Sequence, residues 1–288
     1  MKAPTRLDDA FLATRPLPSP PEGEGKEGRG RVLIIAGGAE VPGAALLAGV
    51  GALRAGAGKL QMAATDAFAV PLALAMPESR VIRVTSTKAG EIAASAADEL
   101  AEAVRRSDAV VVGPGMVDEA LAARLTKRLA ALDGKAMFVV DAAALSGLGG
   151  GDGLAGLRGR AVLTPHAGEM ATLLEITKDD VIDDPIAAAR QAAARFQAVV
   201  ALKGATTWIV SPSGEAWRHD DGVIGLGTSG SGDVLAGVIG GLLARGAPPL
   251  DATLWGVRLH ARAGERLTVT VGQLGFLARE IADAIRLE

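Results

Sequence analysis

The sequence predicts an α/β protein with a mostly parallel central sheet and helices on both faces. From Arg31 onward, short β-branched runs alternate with longer runs rich in Ala and Leu. Some of the short runs, such as Ala109–Val112, are apolar throughout, which is typical of strands buried on both faces. Alternation of such strands with helices indicates a parallel sheet between helical layers. The length of 288 residues fits one large domain.

The short apolar runs predict nine strands, and the Ala-rich runs predict eight helices. The last two strands are half-polar and flank Pro212–Gly214, so they are expected to form a hairpin at one edge of the sheet. The predicted strands are Val32–Ala36, Lys59–Ala64, Val81–Thr85, Ala109–Val112, Met137–Val140, Ala161–Leu163, Ala198–Leu202, Thr207–Val210 and Glu215–Arg218. The predicted helices are Gly43–Ala55, Gly90–Arg105, Glu119–Leu132, Gly168–Ile176, Pro185–Phe196, Gly232–Ala244, Leu250–Leu267 and Phe276–Arg286.

Residues 1–29 differ in composition from the rest of the chain. They are rich in Pro, Gly and Glu, with Pro16, Pro18, Pro20 and Pro21 close together. Such a segment cannot bury much apolar surface. We therefore expect a flexible N-terminal arm over 1–29 and one folded domain over 30–288.

The bulk composition excludes several classes of protein. The net charge is −3 and no basic stripe is present, so nucleic acid is not an expected partner. The absence of cysteine excludes disulfides and thiolate chemistry. No apolar stretch reaches the roughly 18–20 residues of a membrane span, and Arg6, Asp8 and Asp9 interrupt any signal-like start. We expect a cytoplasmic protein with no membrane partner.

Small and polar residues follow most of the predicted strands. In open α/β sheets, ligands bind beyond the carboxyl ends of the strands, so these residues are the candidates for a site. They are Gly37–Gly38, Gly113–Gly115, Asp141, Thr164–His166, Lys203–Thr207 and Gly227–Asp233.

The segment Thr228–Asp233 precedes a strongly apolar helix and is predicted to bind phosphate. The free N–H groups and the positive dipole end of that helix point out of Gly230 and Gly232. Asp233, in the first turn, is expected to be kept ionised by the dipole and to accept a proton from an attacking hydroxyl. The alternative is that Asp233 merely caps the helix.

Other phosphate-binding patterns fit less well. Gly58–Lys59 is followed by Leu60, which breaks the P-loop pattern. Gly225–Gly230 matches G-x-G-x-x-G, but it lies late in the chain, and Asp251 opens a helix instead of ending a strand.

Several other side chains have two interpretations. His166 either contacts a ligand or is structural, and Lys203 either neutralises phosphate or is solvated; ligand contact is favoured for both. Glu169 either holds Mg²⁺ through water or caps its helix. His219 and His260 are not spaced as a metal pair, and we interpret both as structural.

At these segments the chain resembles the ADP/ATP-dependent NAD(P)H-hydrate dehydratases of the ribokinase-like superfamily. The resemblance runs from about residue 30 to the C-terminus, and the ordered set of segments is more specific than any one of them. The matching segments are Gly30–Leu33, Val41–Ala44, Ala52–Gly58, Gly113–Gly115, Leu163–His166, Gly168–Glu169, Lys203–Ala205, Gly230–Gly237, Leu259–His260 and Ala263–Gly264.

The resemblance implies a ribokinase-like fold and dehydration of the S-form of NADH or NADPH hydrate (NADHX or NADPHX). ADP or ATP, with Mg²⁺, would phosphorylate the hydrate hydroxyl, ADP being the expected donor, and elimination would restore NAD(P)H. Asp233 would be the catalytic base, and the amides near Gly230 and Gly232 would stabilise the moving charge. The implied hydrate-binding residues are Ala44, Gly115, His166 and Asp233; the implied nucleotide-binding residues are Lys203, Gly204, Ala205, Thr206, Thr207 and Gly232.

The resemblance also implies a homo-oligomer. Some members carry a hydrate epimerase domain at the N-terminus, which 30 residues cannot hold, so a separate epimerase is expected as a partner. The chain departs from the family pattern at Ala143, usually Asp, and at Val117, usually Gly. It departs again at Val223–Ile224, usually Asn-Pro, and at Ala167, usually Pro.

Two other functions are compatible with the same residues. A ribokinase-like kinase of a thiazole, hydroxymethylpyrimidine or sugar would use a similar glycine-rich turn, but it would release a phosphorylated alcohol. A nucleotide-sensing module would bind nucleotide without turnover, and its response would survive Asp233→Asn.

Overall fold

A computed structural model describes residues 3–19, 23, 25–149 and 153–287. The strands are β1 Thr5–Arg6, β2 Arg31–Ile35, β3 Lys59–Thr65, β4 Ser79–Val84, β5 Ala109–Val112, β6 Met137–Val140, β7 Ala161–Leu163, β8 Val199–Leu202, β9 Thr207–Val210 and β10 Ala216–His219. The helices are α1 Asp9–Ala13, α2 Gly43–Arg54, α3 Asp66–Ala75, α4 Ala96–Arg106, α5 Glu119–Ala130, α6 Ala143–Ser146, α7 Ala167–Leu174, α8 Lys178–Asp183, α9 Pro185–Phe196, α10 Ser231–Ala244, α11 Pro249–Thr270 and α12 Ala278–Ala284.

The ten strands form one sheet in the order β1-β10-β9-β8-β7-β6-β5-β2-β3-β4. The strands from β8 to β4 are parallel, whereas β9 is antiparallel to both β8 and β10. The predicted α/β fold with a mostly parallel sheet is confirmed. The β9–β10 hairpin forms as expected, but it is not the outermost pair, because β1 adds to β10 in parallel.

Two apolar layers cover the sheet, as continuous apolar strands require. Alternate residues of β5 show the division: Val111 belongs to one cluster, and Val110 and Val112 belong to the other. The first layer contains α1, α2, α3, α10, α11 and α12. The second contains α4, α5, α6, α7, α8 and α9. In the part of the chain that is described, no helix is long and apolar enough to cross a membrane.

Helices α2 and α10 pack very closely because glycines of each helix lie directly against the backbone of the other helix. A Cβ added to Gly237 would lie 2.1 Å from the carbonyl oxygen of Ala48, and one added to Gly51 would lie 2.7 Å from that of Val234. This packing fixes α10 under the sheet and therefore fixes the position of its N-terminus.

The N-terminal arm needs a correction over residues 3–19. The expectation that it buries little apolar surface is wrong there, because Leu7 is 0% and Leu12 is 1% exposed. The prediction from composition did not include this burial, because two leucines are enough to anchor a short segment when a sheet edge is available. The prolines at 20 and 21 lie outside the described residues. The proposed boundary between 29 and 30 stays a prediction.

Further differences from the predicted elements are local. Helix α4 begins at Ala96 instead of Gly90, because Gly90 has φ +84 and the chain around it forms a bridge between Ser86 and Ile92. Helix α3 was not predicted from the pattern, since Pro71 lies inside it and Val70 and Leu74 are exposed. The short helices α6 and α8 were also missed.

Candidate active site

A cavity of about 790 Å³ opens at the carboxyl ends of the parallel strands, in front of α10. Two parts of its wall differ in character. We call the part formed by Asp141, Glu169, Lys203 and Asp233 the charged end. We call the part formed by Gly222, Val223, Val257 and Ala261 the apolar end. Of the residues predicted from sequence, the cavity is lined by His166, Glu169, Lys203, Gly204, Ala205, Thr207, Gly230, Gly232 and Asp233.

The glycine-rich turn presents free amides to the cavity. Gly230 is the N-cap of α10 with φ 87, and a Cβ there would lie 2.5 Å from Leu47, so conformation and space both require glycine. The Ser231 N–H donates to the carbonyl of Thr228. No described protein acceptor takes the N–H of Gly232 or Asp233. Together with the helix dipole, these two amides form an anion-binding site.

The carboxylate of Asp233 faces this anion site but is not kept ionised by the dipole, which corrects the expectation. Burial raises the pKa of Asp233 to about 7. The negative charges of Asp141 and Glu169 also raise this pKa, and the positive charge of Lys203 lowers it. Desolvation is the largest influence on this carboxyl, and the like charges add to it. A carboxylate with a pKa near neutrality is suited to act as a general base.

Lys203 is held beside the anion site by a buried carboxylate. Its Nζ donates to Asp141 Oδ1 at 2.8 Å and lies 3.8 Å from Glu169 Oε2. Burial alone would lower the pKa of Lys203, but the negative charges of Asp141 and Glu169 raise it above the usual value. The amine is thus a permanent cation. A Cβ added to Gly232 would be 3.4 Å from Nζ, so the cation and the free amides face the same space.

Asp141 has two hydrogen-bond donors on Oδ1 even though Ala143 replaces the family's aspartate. Its Oδ1 also accepts from the hydroxyl of Thr164 at 2.7 Å, and the side chain is only 2% exposed. The following residue, Ala142, has φ 51 and lines the cavity. Backbone in the left-handed region is costly for alanine, and such residues cluster at functional sites.

His166 and Glu169 form a capping box at the start of α7, which shows a capping role for both, while their ligand contacts stay predictions. His166 Nδ1 accepts from the N–H groups of Gly168 and Glu169 at 3.0 and 3.1 Å, and Glu169 Oε2 accepts from the His166 N–H at 2.7 Å. Because Nδ1 accepts, Nε2 carries the proton. The ring still lines the cavity, its side chain is 58% exposed, and its Nε2 lies 3.4 Å from Glu169 Oε1.

Three residues expected at the site lie elsewhere. Ala44 is 1% exposed. A Cβ added to Gly115 would lie 2.4 Å from the Ala44 methyl, so these two residues pack together behind the cavity wall. The Thr206 hydroxyl donates to Asp220 Oδ1 at 3.1 Å, and Thr206 is absent from the wall. The binding roles of these residues remain predictions.

A second cavity of about 340 Å³ adjoins the first and shares His166 and Glu169 with it. Val117 and Ala143, two of the departures from the family pattern, both line this second cavity. These two departures therefore lie close together, whereas Val223 and Ile224, two further departures, line the main cavity with the glycine-rich turn.

Two histidines interpreted as structural also line the main cavity. His260 Nε2 lies 3.0 Å from Ser231 Oγ and 3.1 Å from the Ser231 carbonyl. Burial lowers the pKa of His260 to about 4, so the neutral ring supports the glycine-rich turn, which agrees with a structural role. The sequence analysis did not place His219 at the site. The only signal for it was its place directly after the predicted half-polar strand Glu215–Arg218.

The carboxylates offer oxygen ligands but no ready-made metal cage. Within residues 3–19, 23, 25–149 and 153–287, no group of three His, Asp or Glu side chains is arranged to hold a metal ion. Asp141 is paired with Lys203 and Glu169 with its helix cap. This donor set fits Mg²⁺ that arrives with phosphates and keeps most of its water, which is how Mg²⁺ commonly binds.

A parallel sheet between helical layers, with a buried carboxylate beside a glycine-rich helix start, defines the class of ribokinase-like proteins. A ribokinase-like superfamily protein of Enterococcus faecalis shares this fold, with a TM-score of 0.79 at 23% identity over 97% of this chain and 93% of that one.

Comparison of the chain with known proteins identifies one family within this class. A family model described as NAD(P)H-hydrate dehydratase matches residues 32–287. The ADP-dependent (S)-NAD(P)H-hydrate dehydratase of Xanthomonas campestris pv. campestris is 48% identical over 94% of this chain and 91% of that protein. The Bacillus subtilis ADP/ATP-dependent NAD(P)H-hydrate dehydratase, co-crystallized with ATP/Mg²⁺, aligns with a TM-score of 0.83 at 27% identity over 99% and 97%. The chain belongs to the NAD(P)H-hydrate dehydratase family.

Proposed function

We propose that the protein is an ADP-dependent (S)-NAD(P)H-hydrate dehydratase, a carbon–oxygen lyase that restores NADH or NADPH from its S-hydrate. The observation that carries the proposal is the juxtaposition of the Asp233 carboxylate with the amides of Gly232 and Asp233 and with the Lys203 cation. That arrangement suits proton removal from a hydroxyl beside a bound phosphoryl group. The family membership supports it.

Each part of the charged end has a task in this reaction. Hydroxide is a poor leaving group, so the hydrate hydroxyl is first phosphorylated. Asp233 takes the hydroxyl proton as the oxygen attacks the terminal phosphorus of ADP, and AMP leaves. The free amides and Lys203 stabilise the charge on the transferring group. Phosphate then leaves the ring carbon with the former hydroxyl oxygen, the neighbouring ring carbon loses a proton to water, and the double bond of the nicotinamide ring is restored.

Mg²⁺ is proposed as the companion of the nucleotide, bound mainly by its phosphates and by water, with Glu169 as a contact through water. Mg²⁺ would supply neutralisation of phosphate charge. His166, whose side chain is 58% exposed and lines the cavity, is proposed to bind the hydrate together with Asp233.

The decisive experiment identifies the products. Purified protein is mixed with S-NADHX, Mg²⁺ and either ADP or ATP. A dehydratase regenerates the near-ultraviolet absorbance of the reduced nicotinamide and releases one inorganic phosphate per turnover. A small-molecule kinase of the same fold instead accumulates a stable phosphorylated alcohol from a thiazole, hydroxymethylpyrimidine or sugar, and leaves NADHX unchanged, which would overturn the proposal.

The same assay tests the remaining expectations. ADP is expected to be the better donor, and the R-hydrate is expected to be consumed only when a separate hydrate epimerase is added. NADHX and NADPHX are compared in parallel. A homo-oligomer stays a proposal from the family resemblance, to be checked by sedimentation. A cytoplasmic location stays a proposal from the sequence composition, to be checked by cell fractionation.

A further inference from the structure

The side chain of His260 supports the glycine-rich turn with one ring nitrogen and leaves the other nitrogen unused. Its Nε2 lies 3.1 Å from the carbonyl oxygen of Ser231 and 3.0 Å from the hydroxyl oxygen of the same residue. A carbonyl oxygen can only accept, so Nε2 carries the ring proton and donates it to Ser231. Burial lowers the pKa of His260 to about 4, so the ring is neutral at neutral pH. Nδ1 is therefore an acceptor with a free lone pair.

Nδ1 of His260 is open to the main cavity. Among the residues that the structure describes, it has no hydrogen-bond partner. The fully enclosed side-chain atoms that lack a partner in those residues are Gln61 Oε1, Thr65 Oγ1 and His219 Nε2. Nδ1 is not one of them, so it keeps contact with solvent, and His260 lines the main cavity with 8% of its surface exposed. A ligand in this cavity is therefore able to reach Nδ1.

His260 lies beside the amides that are proposed to bind phosphate. Ser231, which accepts from its Nε2, directly precedes Gly232 and Asp233, whose amides form the anion site. The ring is also close enough to Lys203 for the positive charge of that amine to lower the pKa of His260. A nucleotide held by its phosphates at these amides would bring its ribose, the group attached to the phosphates, close to this ring.

An uncharged acceptor nitrogen restricts the group that it can bind. Phosphate oxygens have no proton to donate, whereas an O–H or N–H group does. In an adenine nucleotide these donors are the ribose hydroxyls and the amine of the base, and the hydroxyls are nearer to the phosphates. We propose that His260 Nδ1 accepts a hydrogen bond from a ribose hydroxyl of the phosphoryl donor, so that the site prefers the complete ribose to a deoxyribose; this inference rests on the proposed nucleotide dependence.

Binding is measured by calorimetry without the hydrate, so the result is independent of the dehydration assay. The ligands are the Mg²⁺ complexes of ADP, of 2′-deoxy-ADP, of 3′-deoxy-ADP and of pyrophosphate, which has no ribose. We expect the wild-type protein to bind one of the two deoxynucleotides about tenfold more weakly than ADP, the order of one net hydrogen bond. Equal Kd values for ADP and both deoxynucleotides would overturn the inference.

Two substitutions separate the roles of the two ring nitrogens. His260→Gln keeps an amide N–H that reaches about as far as Nε2, and so keeps the bond to Ser231, but it has no polar atom at the position of Nδ1. Its Kd values for ADP and the deoxynucleotides are expected to agree within about twofold, and its Kd for pyrophosphate should stay within about twofold of wild type, below the effect of one hydrogen bond.

His260→Asn is the matched control, because its amide oxygen takes the position of Nδ1 and its side chain is too short to reach Ser231. This variant is expected to keep the distinction between ADP and the weaker deoxynucleotide. A distinction retained in His260→Gln, or lost in both variants, would overturn the direct contact with ribose.

If the variants do not fold, the wild-type protein decides. With only three histidines in the sequence, the ¹⁵N signals of the imidazole rings can be assigned. The Nδ1 signal of His260 is expected to shift more with Mg²⁺–ADP than with the weaker deoxynucleotide or with Mg²⁺–pyrophosphate, and equal shifts with all of them would refute the contact. A protein that binds ADP through His260 but leaves NADHX unchanged would refute only the dehydratase proposal.

Discussion

The two ends of the main cavity are built in different ways. The charged end takes its residues from the points where buried parallel strands stop and from the start of α10. The apolar end takes its residues from the loop after β10 and from the middle of α11. The charged end is visible in the sequence as polar residues after apolar runs. The apolar end becomes visible only when β10 and α11 are brought together.

The N-terminal segment, residues 3–19, stabilises the elements that form the apolar end. The Leu7 N–H donates to the carbonyl of Arg218 at 2.8 Å, next to His219. Asp9 pairs with Arg258 and Arg262 of α11, both at 2.8 Å, and these hydrogen bonds hold the pKa of Asp9 well below its usual value. The segment therefore braces β10 and α11 together, whereas the charged end is held by the central sheet and by the starts of α7 and α10.

The largest expected effect tests the charged end. Asp233→Asn removes the base and is expected to lower kcat about 10²–10⁴-fold, the usual contribution of a general base, while ADP still binds. Asp221→Asn, at an exposed ion pair with Arg6, is the matched control and should leave kcat unchanged. A residual rate within about tenfold of wild type, some 1.4 kcal/mol of barrier, would count against Asp233 as the base.

The next effect tests the brace at the apolar end. Leu12→Ala empties a fully buried site and is expected to lower the free energy of unfolding by about 2–5 kcal/mol in denaturant titrations. Val70→Ala, at a position 64% exposed, should stay within about 0.5 kcal/mol. We also expect Leu12→Ala to weaken ADP binding more than it lowers kcat. Equal stability of the two variants would show that the segment does not brace the domain.

A smaller effect tests whether the glycine-rich turn needs Gly232 for the space in front of its amides. Gly232→Ala puts a methyl at ordinary contact distance from Lys203, so the fold tolerates it, but the methyl occupies the space in front of the amides. Its Kd for ADP is expected to rise about tenfold, or 1.4 kcal/mol, with little change in Tm. Gly134→Ala, exposed and remote from the cavity, is the control. Unaltered ADP binding in Gly232→Ala would remove these amides from the phosphate site.

The smallest effects concern pH. With a pKa near 7 for Asp233, kcat/KM for the hydrate should fall about tenfold per pH unit below neutrality. The same carboxyl has an ordinary pKa of 3.8 when unfolded, so between the two values the folded state binds more protons and wild-type stability declines as pH rises. Asp233→Asn should therefore be more stable than wild type at pH 8, by about 1 kcal/mol or more, and the gap should close near pH 4. A constant gap would contradict the raised pKa.

Much of the fold was readable because burial on both faces demands continuous apolar strands. Ala109–Val112, Met137–Val140 and Ala161–Leu163 have the same bounds in the sequence prediction and in the structure. Elements without a strong pattern were missed: β1 has two residues, and α3 contains Pro71 and exposes Val70. Their stability comes from the surfaces they dock on, which local propensity does not contain.

For this protein, the sequence alone determined the order of apolar strands, the glycine-rich helix start and the polar residues at strand ends, because each depends on neighbours a few positions away. Only the tertiary structure decided the raised pKa of Asp233, the pairing of Lys203 with Asp141 and the burial of His219 Nε2 without a hydrogen-bond partner. These properties depend on desolvation and on charges carried by distant parts of the chain, and no local pattern encodes either.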